Sequence, residues 1–285
     1  MSNTMSGKEF VAHVANIIEP LLKASEIQTQ AYFRNNPDLD EAIFHFKRRM
    51  FNERMNIVEI SKTLASMPAS TDPVQLKLLA KQVLDEAKHY DMVKGVIEYL
   101  SGDKFTDEEL NAEFAWQMDA SNVKAKGASL FEEIGGDKDE MMAAVYQFVA
   151  EGRAGRVWNA MATSIADPVV SRTYAKIAKD ETFHSTIGAR TLERLATTPE
   201  AQAKVLAVLP KMTERMYWIN CMGTEATKEA ASLVSEAYGH DVSDEKMNEM
   251  GKSWFAPKGE LKDWTPSPRG AFSTNSNEIV DNFAS

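Results

Sequence analysis

The sequence predicts an all-α protein: a helical bundle with additional flanking helices and an irregular C-terminal tail. Three observations carry that prediction. Apolar residues, scattered valine and isoleucine included, recur at helical steps over long stretches, and no segment shows the strict alternation of a half-buried strand. A capping residue stands directly before proline at Asp72-Pro73, Asp167-Pro168 and Thr198-Pro199, an arrangement suited to a first helical turn. Several of the periodic stretches exceed about 25 residues, which suits a bundle better than a mixed fold.

In chain order the expected helices are 6–33, 40–66, 73–100, 107–134, 138–166, 168–195 and 199–238. The third, sixth and seventh open on the three proline signals. Thr106-Asp107-Glu108-Glu109 has capping-box spacing and opens the fourth, and Gly135-Gly136 supplies its stop. From about residue 240 the pattern changes to a stretch rich in proline, glycine and serine that nevertheless carries Trp254, Phe255, Trp264 and Phe272. Such a composition cannot build a core of its own. Residues 1–239 are therefore expected as one helical domain and 240–285 as a tail packed on it by its aromatics, with a partner-binding or substrate-covering segment as the alternative.

The whole chain bounds the function. With 285 residues and 44% hydrophobic content it fills a sizeable core. A net charge of -10 argues against nucleic acid, which needs a dominant basic surface. The start, MSNTMSGKEF, lacks the basic and apolar run of a signal peptide, and nothing approaches the roughly eighteen apolar residues of a membrane span, so a cytoplasmic protein is expected. The single cysteine, Cys221, excludes an internal disulfide and any all-cysteine metal site, and is read as a buried inert thiol.

Two short stretches stand out: Asp85-Glu86-Ala87-Lys88-His89 and Asp180-Glu181-Thr182-Phe183-His184, which place two of only five histidines behind the same acidic pair. With 42 acids in the chain, four acids at four specified places arise by chance roughly once in a thousand times or less. On a helix, residues three apart share a face, so each Glu and His can present an oxygen and a nitrogen to one point. Leu79, Val83, Glu86, Val93 and Ile97 run down one face, as do Val170, Tyr174, Ile177, Glu181 and His184. Glu53 interrupts a third stripe of Phe46, Met50, Ile57, Ile60 and Leu64; Glu151 interrupts a fourth of Ala144, Phe148, Trp158 and Ala162. Four buried unpaired carboxylates would cost several kcal/mol each. Arg54, Arg153 and Arg156 fall mainly on other faces, so a divalent or trivalent metal is the simplest counter-charge.

The order repeats as well. Glu53 lies 33 residues before Glu86, and Glu151 lies 30 before Glu181, so each half is a helix pair supplying Glu and then Glu-x-x-His. This ordered set resembles the inward-facing ligands of the ferritin-like di-iron and di-manganese carboxylate superfamily and places a metal-bearing core at about residues 40–195. The resemblance implies a ferritin-like four-helix bundle with metal ligands Glu53, Glu86, His89, Glu151, Glu181 and His184, of which Glu86 and Glu181 bridge and Glu53 and Glu151 are terminal. Asp85 and Asp180 are then candidate acceptors for the second ring hydrogen of the histidine in the opposite half, against the alternative of a solvated or helix-pairing acid. Two iron ions are expected, with manganese or a mixed pair accepting the same donors.

LLAKQVLDEAKH (78–89) and IAKDETFHSTIG (177–188) are similar to the corresponding helices of the catalytic subunits of bacterial phenylacetyl-CoA oxygenases. That likeness implies a di-iron oxygenase or oxidase that uses O2 to hydroxylate, epoxidise or similarly oxidise an organic, acyl or aromatic substrate. It also implies an electron-donor protein, a ferredoxin or flavin reductase, and a homodimer. No residue pattern identifies a CoA site. Val93 stands where a radical-generating reductase subunit has tyrosine, Tyr90 is read as packing, and one cysteine excludes an added rubredoxin domain. Ala154 and Gly155 stand where related monooxygenases carry threonine, leaving Thr182 as a candidate proton-relay hydroxyl. Gly152 and Gly155 open either a cavity for O2 and substrate or a close helix contact. Lys47-Arg48-Arg49 is read as a solvated face, with contact to phosphates or an electron donor as the alternative. A ferritin-like ferroxidase or peroxide-detoxifying protein is the rival function, and a metal-free helical scaffold the second rival.

Overall fold

Capping side chains and prolines divide the chain into helices where their chemistry dictates. The computed structural model describes residues 4–34, 38–121, 128–219 and 224–246. Its helices are α1 (Gly7–Arg34), α2 (Leu39–Ser66), α3 (Pro73–Ser101), α4 (Asp107–Ser121), α5 (Ala128–Glu133), α6 (Glu140–Ser164), α7 (Pro168–Leu195), α8 (Pro199–Ile219) and α9 (Thr224–Tyr238). Among the described residues there is no strand, so the all-α expectation holds. None of these helices is long and apolar enough to cross a membrane. Cys221 and the aromatics of the expected tail lie outside the described residues.

The three proline signals act as expected. Asp72 accepts the Val74 N–H at 3.0 Å, Asp167 accepts those of Val169 and Val170 at 2.8 and 3.1 Å, and Thr198 accepts that of Ala201 at 3.2 Å. Each satisfies a donor that the first helical turn leaves over. The capping box also forms: the Glu109 N–H donates to Thr106 Oγ at 3.2 Å, while the Thr106 N–H donates to the Glu109 carboxylate at 2.7 Å. Gly135 ends α5 with φ 83°; its N–H donates to the Glu132 carbonyl and that of Gly136 to the Phe131 carbonyl, the paired bonds of a Schellman cap. The expected helix 107–134 corresponds to α4 and α5, and 199–238 to α8 and α9, the residues between each pair lying outside the described ones.

Pro20 inside α1 removes an N–H and crowds the preceding turn. The phenol of Tyr238 on α9 enters the ladder there, accepting the Leu21 N–H at 3.1 Å and donating to the Ile17 carbonyl at 2.7 Å. A side chain thus carries a bond that a regular helix makes between i and i+4.

The chain divides into two compact units. The first takes its described residues from 4–32, 128–160, 178–219 and 224–246; the second takes 33–34, 38–121 and 161–177. Phe10, Val14, Leu21, Leu130, Met142 and Tyr217 are among the buried core residues of the first. In the second, α2 packs on α3, with Phe46 stacked between Phe33 (6.1 Å between ring centroids) and Tyr174 (5.6 Å). Helix α4 is fastened to α2 by the buried pair of Lys47 with Glu113 at 3.0 Å and by Arg54 over the Phe114 ring at 4.1 Å.

Candidate metal centre

In the second unit Glu53 comes from α2, and Glu86 and His89 come from one face of α3. All three are buried, at 2%, 0% and 0% exposure, and each offers a donor atom within 4.8 Å of the others. His89 Nδ1 stands 3.6 Å from Glu53 Oε2 and 4.0 Å from Glu86 Oε2. Of the apolar stripes around them, Leu79, Val93, Ile97, Phe46 and Met50 are buried, while Val83, Ile57, Ile60 and Leu64 are half-buried.

The first unit builds a matching trio on α6 and α7. Glu181 and His184 are buried and Glu151 is half-buried, again with donor atoms within 4.8 Å of one another. His184 Nδ1 and Glu181 Oε2 are 3.3 Å apart. Small residues bring the two helices this close. A Cβ on Gly188 would lie 2.5 Å from the Phe148 nitrogen and 2.7 Å from the Ala144 carbonyl oxygen, and Ser185 Oγ donates to the Phe148 carbonyl at 3.1 Å. A Cβ on Gly155 would meet Thr182 Oγ1 at 3.4 Å and Glu181 Cβ at 3.7 Å; one on Gly152 would meet Ser185 Oγ at 3.3 Å. The space beside these glycines is filled by α7, which favours the helix-contact reading over an open cavity. Thr182 Oγ1 donates to the Ala178 carbonyl at 2.9 Å.

The donors fit a metal ion. Ligand atoms bound at about 2.1 Å to a single cation stand roughly 3.0–4.2 Å apart, and the imidazole-to-carboxylate distances of 3.3, 3.6 and 4.0 Å fall in that range. Two ionised carboxylates within 4.8 Å repel by at least about 3 kcal/mol at an effective dielectric of about 20. Carboxylate oxygen with imidazole nitrogen suits iron, manganese and other borderline cations. These buried Glu and His groups can therefore hold a metal ion.

One cation belongs to the surroundings of Glu53, which corrects the expectation that no lysine or arginine shares its face; it is Arg49, from the run expected as a solvated face. Arg49 stands four residues before Glu53, on the same face; burial pushes its guanidinium down, while the charges of Tyr174 and Glu53 hold it up. The Tyr174 phenol, fully buried, is raised well above the usual tyrosine value by that burial, which Arg49 opposes. Spacing alone could have flagged Arg49; Gln82, four residues before Glu86, and Asn56, three after Glu53, stand at helical spacings too common to single out. Asn56 Nδ2 donates to Glu86 Oε2 at 3.2 Å and Gln82 Nε2 to Glu86 Oε1 at 3.5 Å. Arg54 and Arg156 are engaged elsewhere, Arg54 on Phe114 and Arg156 with Glu19 at 2.9 Å, as the face assignment implied.

Asp85 is buried and meets Lys81 and, at 3.5 Å, Lys88, both on its own helix, which is the helix-pairing arrangement. Asp180 is half-buried on α7. The expectation of a solvated face at residues 47–49 is corrected. Lys47 is 1% exposed and paired with Glu113, because α4 covers that side of α2, and Arg48 and Arg49 are half-buried. Tyr90 is half-buried beside Arg54, a packing position.

No protein family matches the chain, no curated protein matches its sequence, and no solved structure matches it.

Proposed function

We propose that this chain is a ferritin-like di-iron protein that activates O2 to oxidise an organic substrate. The observation that carries the reading is the repetition of one trio, Glu with a buried Glu-x-x-His and donor atoms within 4.8 Å, on two separate helix pairs. Glu53, Glu86, His89, Glu151, Glu181 and His184 are the proposed ligands of two iron ions, or of manganese in their place. Asp85 and Asp180 remain proposed supports of the histidines.

When bound, such a pair of ions supplies the electrons that reduce O2 and the oxidising power that acts on the substrate. The chain supplies the rest. Near-complete burial of Glu86 and His89 in one unit, and of Glu181 and His184 in the other, excludes water from each trio, which strengthens the electrostatic interactions within it. The imidazoles fix geometry while the carboxylates supply the negative charge that balances the ions. Full reduction of O2 takes four electrons and a monooxygenated substrate gives two, so an electron-donor protein is part of the proposal. A homodimer is proposed on family likeness.

The test is metal analysis of protein purified without chelator, followed by O2 consumption and product analysis with a chemical reductant and 18O2. About two iron or manganese per chain with label in an organic product supports the reading. Two metals with O2 or peroxide consumption and no organic product would assign the chain to ferroxidase or peroxide chemistry. No metal after reconstitution would leave a helical scaffold.

A further inference from the structure

Glu86 differs from an ordinary buried acid in what touches it. Its oxygens each receive one amide N–H, from Asn56 at 3.2 Å on one side and from Gln82 at 3.5 Å on the other. Gln82 is wholly buried and reaches Glu86 from one turn earlier on α3; Asn56 is half-buried and reaches it from α2. Two elements therefore grip one carboxylate from two directions.

The chemistry of the donors matters. An ionised carboxylate has about four lone-pair sites, and the two N–H donors take one on each oxygen. An ammonium or guanidinium in the same place would cancel the negative charge that a cation needs. A neutral amide fixes the plane of the carboxylate and keeps that charge, so its oxygens stay presented in a constant direction.

We infer that Asn56 and Gln82 are positioning residues that lock the Glu86 carboxylate in the orientation from which each oxygen can meet a cation. The inference rests on the proposed metal site and concerns how tightly that site holds its ions. Hydrogen bonds of this kind to a ligating carboxylate change metal affinity by about 10–100-fold when removed.

The test uses Asn56→Leu and Gln82→Met, which keep the shape of each side chain and remove its donor. Full-length wild type and variants are titrated anaerobically with Mn(II), free Mn(II) being read by its EPR signal. Thermal unfolding of the metal-free proteins is followed alongside. The expected result is roughly tenfold weaker binding of Mn(II) by each variant, at metal-free melting temperatures that do not account for it. Wild-type affinity in both variants overturns the inference and leaves the metal reading standing, as does a lowered metal-free melting temperature with unchanged affinity, which marks a structural role. Wild-type protein that takes up no Mn(II) and no Fe(II) overturns the metal reading, and this inference with it. Should Gln82→Met not fold, Asn56→Leu, at a half-buried position, decides the question alone.

Discussion

Lys47 shows at the scale of one residue how burial changes an ordinary group. Its side chain is 1% exposed, and burial pushes its ammonium down to about 8, with the Glu113 carboxylate at 3.0 Å acting the other way. An unfolded chain holds the same proton up to about pH 10.4. Below pH 8 both states are protonated and the cost of burial is constant. Between about pH 8 and 10 the folded chain has released the proton and the unfolded chain has kept it, so the unfolded state binds more protons and stability rises with pH. Urea unfolding at pH 8 and pH 9 is expected to show a gain on the order of 1 kcal/mol from this group. The double substitution Lys47→Met with Glu113→Gln removes both charges, and the gain should vanish with them. An equal pH slope in both proteins would mean that Lys47 keeps its ordinary affinity for protons.

The contacts between elements divide into those that allow no extra atom and those that do. Gly188 is of the first kind, because a methyl there would press on the Phe148 nitrogen and Ala144 oxygen of α6 at 2.5 and 2.7 Å. Backbone atoms cannot swing aside, so the two helices must separate. Gly188→Ala is expected to destabilise by about 1–3 kcal/mol, and to weaken metal binding by shifting Glu151 on α6 against Glu181 and His184 on α7. Gly155→Ala meets Thr182 Oγ1 at the ordinary contact distance of 3.4 Å and gains up to about 1 kcal/mol of helix propensity, so it should be neutral or stabilising. Thermal unfolding of the two variants side by side checks both signs. Features at this scale were legible in the sequence where their causes are local: Asp72, Thr106, Asp167 and Thr198 cap helices through bonds two or three residues away. The acidic interruptions of the apolar stripes were legible for the same reason. Partners distant in sequence were not. Nothing near Lys47 announces Glu113, 66 residues on, and nothing near Pro20 announces Tyr238. Asn56 and Gln82 went unseen because a polar residue at helical spacing is common on any half-buried face, and only the fold shows which of them turns toward Glu86.

For the whole molecule, collecting buried acids has a thermodynamic signature that separates a metal site from a structural cluster. Without a cation, Glu181 and its neighbouring carboxylate Glu151, with oxygens within 4.8 Å, oppose folding. A cation that binds only the folded chain stabilises it by about 2.7 kcal/mol at a concentration one hundred times its dissociation constant. For a protein of this size that corresponds to roughly 4–5 °C per ion. Mn(II), or Fe(II) under anaerobic conditions, is therefore expected to raise the melting temperature and EDTA to reverse the rise. The discriminating variant is Glu181→Gln, which keeps shape and removes one negative charge. Metal-free, it should melt at or above the wild-type temperature, because a repulsion has been relieved; with metal, it should lose most of the rise, because a ligand has been lost. A structural acid would give the opposite pattern, with the variant less stable in both conditions and the response to metal unchanged. Opposite signs in the two conditions would show that the fold tolerates a cost in its empty form to keep a site ready for ions, which is the trade expected where stability is given up for function.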